Sequence, residues 1–187
     1  MRHPARLIPW LLACLLLAAC GTQQEPVTEA DKAILVRVGD LAAFNVRLPD
    51  AESGESFSKV KQLDGAYELT YKFETPAGAP RPLFIHVNAT LGRKASDALL
   101  AESAEKIGLL IALKKSGVLE QEVAGIKSGR LALLVKDGQP IGNLFTMREG
   151  TKTYLFLMSG LFVRDAESWE KLAGKRIEQL VRYELKT

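Results

Sequence analysis

Two turn dipeptides, Asp137-Gly138 and Glu149-Gly150, constrain the fold of this chain more than any other feature. Each separates runs rich in strand-forming residues, over 130–136, 141–148 and 153–163. Glycine reaches positive φ without steric cost, so such dipeptides close tight hairpins. Three consecutive antiparallel strands are predicted. Leu131-Ala132-Leu133-Leu134-Val135 and Tyr154-Leu155-Phe156-Leu157-Met158 are apolar at every position. Strands that do not alternate are covered on both faces. The chain therefore reads as α+β, an antiparallel meander sandwiched by α-helices.

Upstream, Tyr67, Leu69, Tyr71 and Phe73 alternate with Glu68, Thr70, Lys72 and Glu74, which predicts a strand with one buried face and one wet face. The proline-rich loop over 76–82 cannot join a ladder, and a second strand over 83–91 is expected antiparallel to the first. A helix is predicted over 95–115. Ser96 or Asp97 caps it, Lys114 and Lys115 suit its negative end, and Gly117 stops it. Its apolar stripe is Leu99, Leu100, Ala104, Ile107, Leu110 and Ile111. Residues 118–123 form an edge strand. A closing helix, capped by Asp165, repeats Trp169, Leu172, Ala173, Ile177, Leu180 and Val181 at the spacing of one buried face. The region 29–64 is less legible. Residues 28–38 fit a helix through Ala30, Ala33 and Ile34, or a strand through Ile34-Leu35-Val36. Phe44, Val46 and Leu48 alternate as a strand ended by Pro49, and 50–58 read as a polar loop.

The first 19 residues have the order of an export signal. Arg2 and Arg6 are followed by an apolar run over 7–19 and then by Cys20. At 1.5 Å per residue that run reaches only about 20 Å, short of a hydrocarbon core of roughly 30 Å. Leu17-Ala18-Ala19-Cys20 resembles the lipobox of bacterial lipoprotein signal peptides, and the resemblance implies lipidation of Cys20 as the first mature residue. Leu11-Leu12-Ala13-Cys14 is a poorer version inside the apolar run. An ordinary secretory signal ending near Ala19 is the other reading. On the lipobox reading, 1–19 is the signal peptide, 20–28 the lipidated N-terminus and flexible tether, and 29–187 a single globular domain. Two or more acyl chains hold a protein stably on a bilayer. Gly21 is not the Asp that retains such proteins in the inner membrane, so the periplasmic face of the outer membrane is expected.

Removing 19 of the 187 residues leaves 168, a length that suits one domain. Cys20 is then the last thiol, which excludes a disulfide, a thiolate metal site and a cysteine nucleophile. The 25 Lys and Arg, less Arg2 and Arg6, stand against 22 Asp and Glu. That balance argues against a nucleic-acid partner. His86 is the one histidine beyond the signal, on a strand face with Phe84 and Asn88. A hydrolase would use it as base for Ser159 or Ser128, yet Leu157-Met158-Ser159-Gly160-Leu161 is no nucleophile elbow. One histidine without cysteine does not build a zinc site, and the acids lack calcium-loop spacing. The pairs Glu102 with Glu105 and Glu120 with Glu122 read as solvated faces. No catalytic residue, metal ligand or cofactor site is assigned.

The run over 118–185 resembles the PsbP-like α/β/α sandwich family, which includes DcrB-like bacterial lipoproteins. A long helix feeds the antiparallel meander. Its final strand, Tyr154-Leu155-Phe156-Leu157-Met158-Ser159-Gly160, leads to the acidic cap Asp165 and the terminal amphipathic helix. The resemblance implies a non-enzymatic fold used for assembly, binding or envelope upkeep, and it carries no catalytic residues. The expected function is a periplasmic domain, held to the membrane through lipid on Cys20, that binds a protein partner in cell-envelope maintenance or assembly. An exposed strand edge or the 76–82 loop would serve the contact. The alternative is a carrier of an apolar ligand or lipid between sheet and helix, which needs a pocket above about 300 Å³. A hydrolase dependent on His86 is third.

Overall fold

The computed structural model describes residues 22–46, 48, 54–79 and 82–185, with backbone alone at 96, 97 and 99–105. The strands are β1 (Gln23–Glu25), β2 (Glu55–Lys61), β3 (Tyr67–Glu74), β4 (Phe84–Leu91), β5 (Val118–Glu122), β6 (Arg130–Lys136), β7 (Gln139–Glu149) and β8 (Lys152–Ser159). They form one antiparallel sheet in the order β1-β2-β3-β4-β8-β7-β6-β5. Two meanders thus meet where Val87 of β4 lies opposite Phe156 of β8. The helices are α1 (Glu29–Ala33), α2 (Ala95–Lys115) and α3, which runs through Ala166–Trp169, a π-helical turn at Glu170–Gly174, and Lys175–Arg182.

Period-two alternation sends Leu69, Tyr71 and Phe73 of β3 and Ile85, Val87 and Ala89 of β4 to one face of the sheet. There they join Tyr154, Phe156 and Met158 of β8 and the buried stripe of α3, Trp169, Leu172, Ala173, Ile177 and Leu180. Trp169 lies 4.5 Å from the Phe145 ring and 5.4 Å from Phe156. On the opposite face, Leu134, Leu144 and Leu155 form a smaller cluster with Leu109 and Leu113 of α2. The all-apolar strands are thus covered on both sides, as their composition requires. Asp165 caps α3 through the Ser168 N–H at 2.7 Å.

The structure decides one segment left open and corrects the reading of two. Residues 28–33 choose the helix, because Thr28 and Asp31 form a reciprocal capping box. The strand expected through Phe44, Val46 and Leu48 is instead a 3-10 helix, Val38–Phe44, ended by Asn45 at φ 59°. Asparagine tolerates that left-handed conformation, and its N–H bonds back to the Ala42 carbonyl at 3.0 Å. The polar loop expected over 50–58 gives way from Glu55 to β2, whose register pairs Phe57 with Tyr71.

Two apolar stripes also need correction. On α2, Ile107 and Ile111 are 58% and 51% exposed, while Leu109 and Leu113 turn inward. Val181 of α3 is half exposed. The side chains of Leu99, Leu100 and Ala104, the candidate caps Ser96 and Asp97, and the Glu102–Glu105 pair lie outside the described residues.

Irregular backbone between α1 and the 3-10 helix is held by buried acceptors far away in sequence. The Val36 N–H donates to the Tyr154 hydroxyl at 2.8 Å, and the Val38 N–H to the Tyr71 hydroxyl at 2.9 Å. Arg176 of α3 grips Asp40 with two nitrogens and donates to the Ala33 carbonyl. Asp31, wholly buried, receives Lys59 Nζ at 3.1 Å, the Thr28 N–H at 2.8 Å and the Tyr183 hydroxyl. Burial raises its carboxyl pKa, but the hydrogen bonds from Tyr183, Thr28 and Lys59 outweigh burial and leave it below its ordinary value. This clasp ties the N-terminal helix, β2 and the C-terminal end into one unit.

Candidate functional site

Cys20 lies outside the described residues. Three residues later Gln23 is already paired in the sheet, opposite Lys61, with Gln24 opposite Val60 and Glu25 opposite Lys59. The stretch read as a flexible tether therefore becomes a strand at Gln23 and reaches the α1 cap at Thr28. Gln-Gln-Glu has no strand propensity to announce this, and edge pairing on β2 supplies the order.

His86 sits on the α2 side of the sheet, between Lys72 of β3 and Leu157 of β8, and stacks on Phe84 with centroids 6.4 Å apart. Burial, then the charge of Lys72, push its pKa below the ordinary value. Among the described residues it makes no hydrogen bond to a serine or a carboxylate. Ser159 pairs with Phe84, one step diagonal to His86 on the same face. Ser128 is exposed in the 123–129 loop, beside α3 on the other side of the sheet. The nearby Glu68 is occupied by Asn88 Nδ2 at 2.7 Å and Gln62 Nε2 at 2.9 Å. Of the two candidate serines, Ser128 is not brought to His86, and Ser159 lies near it without a hydrogen bond. No cluster of three or more histidine, cysteine or acidic side chains fit to hold a metal occurs among the described residues.

Surface grooves accompany the core among the described residues. One of about 350 Å³ is lined by Leu41, Phe44, Val46, Met158 and Leu161, between the 3-10 helix and the linker to α3. A groove of about 560 Å³ follows Pro76, Ala77 and Phe84 toward Pro140. Another, about 730 Å³, runs between the 123–129 loop and α3, where Trp169 and Ile177 lie among Glu167, Lys171 and Glu178. Asn143 shapes the first groove by exchanging hydrogen bonds with both backbone groups of Val163, at 2.9 and 2.7 Å.

The exposed apolar side chains fall elsewhere. Ile107 and Ile111 stand on the outer face of α2, and Leu119 of β5 is 67% exposed. Among the described strands β5 is an open edge, since β6 is its sole neighbour. Arg130 spans Glu120 at 2.9 Å and Glu122 at 3.3 Å there, so the acidic pair read as solvated is bridged by a partly exposed cation. Leu119, paired with Val135, faces away from α2, whereas Val118 faces it. The exposure of Ile107 and Ile111 carried a weak sequence signal, because both fit a buried stripe equally well. No described helix is long and apolar enough to cross a membrane. Comparison of the chain with protein-family profiles, curated proteins and solved structures returned no match.

Proposed function

We propose that this chain is a lipid-anchored domain of the bacterial envelope that works by binding a protein partner rather than by catalysis. Acylation of Cys20 would hold it on the periplasmic face, and Gly21 at the second mature position favours the outer membrane. The observation that carries the binding reading is the open β5 edge with exposed Leu119, beside a helix that turns Ile107 and Ile111 to solvent. An unpaired edge offers backbone donors and acceptors to an added strand, and neighbouring apolar side chains supply the burial. β1 and β5 are opposite edges of the sheet. At about 4.8 Å per strand spacing the partner would dock roughly 34 Å across the sheet from the anchored strand. The PsbP-like sandwich belongs to the same proposal. Its support is the meander between two helical layers, with the acidic cap and amphipathic helix at the C-terminal end.

A carrier of apolar ligands is the second reading, favoured by the 350 Å³ groove lined by Leu41, Phe44 and Met158. A photo-crosslinking residue placed in cells at Ile111 or Leu119, with Lys72 as control, separates the two. The partner reading expects one discrete protein adduct at 111 or 119 and none at 72. Absence of any adduct at 111 and 119, with ligand extracted from the purified protein, would favour the carrier. Metabolic labelling with a fatty acid should fail in Cys20→Ala, and continued labelling refutes the anchor.

A further inference from the structure

We infer that the end of the sheet bearing the β2–β3 turn is the face this protein lays against the lipid surface that anchors it. The inference rests on acylation of Cys20 and adds an orientation to it. Strand register puts Gln23, Lys61, Tyr67, Leu91 and Lys152 in one row across the sheet. Cys20 is three residues from that row. At no more than about 3.6 Å per residue, the chain between them spans roughly 11 Å at full stretch. The turn projects beyond the same row, with Leu63 two residues past Lys61.

Leu63, at its tip, is 81% exposed, the most exposed large apolar side chain among those described. Half-exposed Val181 lies at this end too, since its carbonyl accepts from Lys152 Nζ at 2.6 Å. Around the tip stand Lys61 and Arg93, whose guanidinium packs directly over Gly65. One carboxylate, Asp64, shares the turn and accepts the Ala66 N–H at 2.9 Å. An apolar tip flanked by Lys61 and Arg93 matches the boundary between acyl chains and anionic headgroups. The short leash keeps it there. The opposite end of the sheet, with the loop carrying Ala77, is about 25 Å away along eight-residue strands.

The test uses full-length acylated protein carrying Leu63→Cys or Ala77→Cys, each labelled with a fluorophore. It is reconstituted in vesicles of phosphatidylcholine and phosphatidylglycerol that contain a headgroup-attached nitroxide quencher. Quenching at position 63 should exceed that at 77 several-fold. Equal quenching at both, or more at 77, in protein that floats with the vesicles overturns the orientation and leaves the anchor standing. Protein that stays off the vesicles and lacks acyl mass on Cys20 overturns the anchor, and the orientation with it.

Discussion

Replacing Trp169 by alanine removes the indole that locks α3 onto the sheet. The side chain is 3% exposed and sits 4.5 Å from Phe145 and 5.4 Å from Phe156. Truncation of a buried tryptophan costs about 3–5 kcal/mol, because lost transfer free energy is joined by a cavity that closes only in part. Each aromatic pair adds about 0.5–1.5 kcal/mol beyond area, so two broken pairs place Trp169→Ala toward the upper end of that range. For a domain of this size 1 kcal/mol moves the thermal midpoint by about 2–4 °C, which gives a fall of roughly 6–20 °C. Urea unfolding followed by tryptophan-independent circular dichroism measures the free energy directly. Val181→Ala on the same helix is the control, half exposed and expected within about 0.5 kcal/mol of the parent. A fall of only a degree or two for Trp169→Ala, or equal losses in the two variants, would refute the packing argument.

Three further outcomes follow from the clasp and from close backbone approaches. Tyr154→Phe keeps the ring but strands the buried Val36 N–H, for an expected loss of about 1–3 kcal/mol; an unchanged urea midpoint would show that water or another group takes the hydroxyl's place. Asp31 titrates below its ordinary 3.8 in the folded protein, so its clasp contributes stability that is fully present above the unfolded value and is lost as pH falls through the depressed folded value. Asp31→Asn should flatten the acid limb of a stability–pH curve, and an unaltered limb would deny the clasp that role. At Gly142 an added Cβ would fall 1.9 Å from the Met158 carbonyl oxygen, whereas at Gly138 it meets open space. Gly142→Ala should therefore cost more than about 4 kcal/mol, against roughly 1–2 for the left-handed strain of Gly138→Ala, and the reverse order in unfolding assays would be decisive.

Legibility followed burial. The strands from Tyr67 onward sit where one face or both faces meet the core, so alternation or its absence is written into their side chains. β2 lies outside that region. Its residues are mostly half-buried, and Lys59 turns to Asp31, so no apolar period survives in Glu55–Lys61. Ile34, Leu35 and Val36 are all buried because they occupy an irregular link, and neither helical nor strand spacing describes them. Their order depends on Tyr154, 118 residues away from Val36, which no local pattern discloses. On α2, Ile107 and Leu109 lie about 200° apart around the helix axis, so the stripe read through Ile107 and Ile111 faces solvent at those positions while Leu109 and Leu113 meet the sheet. The paired strand so close to Cys20 was not readable. A three-residue edge strand of Gln, Gln and Glu is defined by its neighbour alone.

The strand order also dictates how the chain can assemble. β2 through β4, and β5 through β8, each join neighbours in sequence, so either meander can collapse quickly with little entropy lost in closing its loops. The junction of β4 with β8 is different, because Leu91 must find Lys152 across the whole of α2 and three strands. By topology that distant encounter is expected to set the folding speed, and substitutions that weaken it should act on the refolding rate. Substitutions in the N-terminal clasp are expected to act instead on how long the finished molecule lasts before it opens.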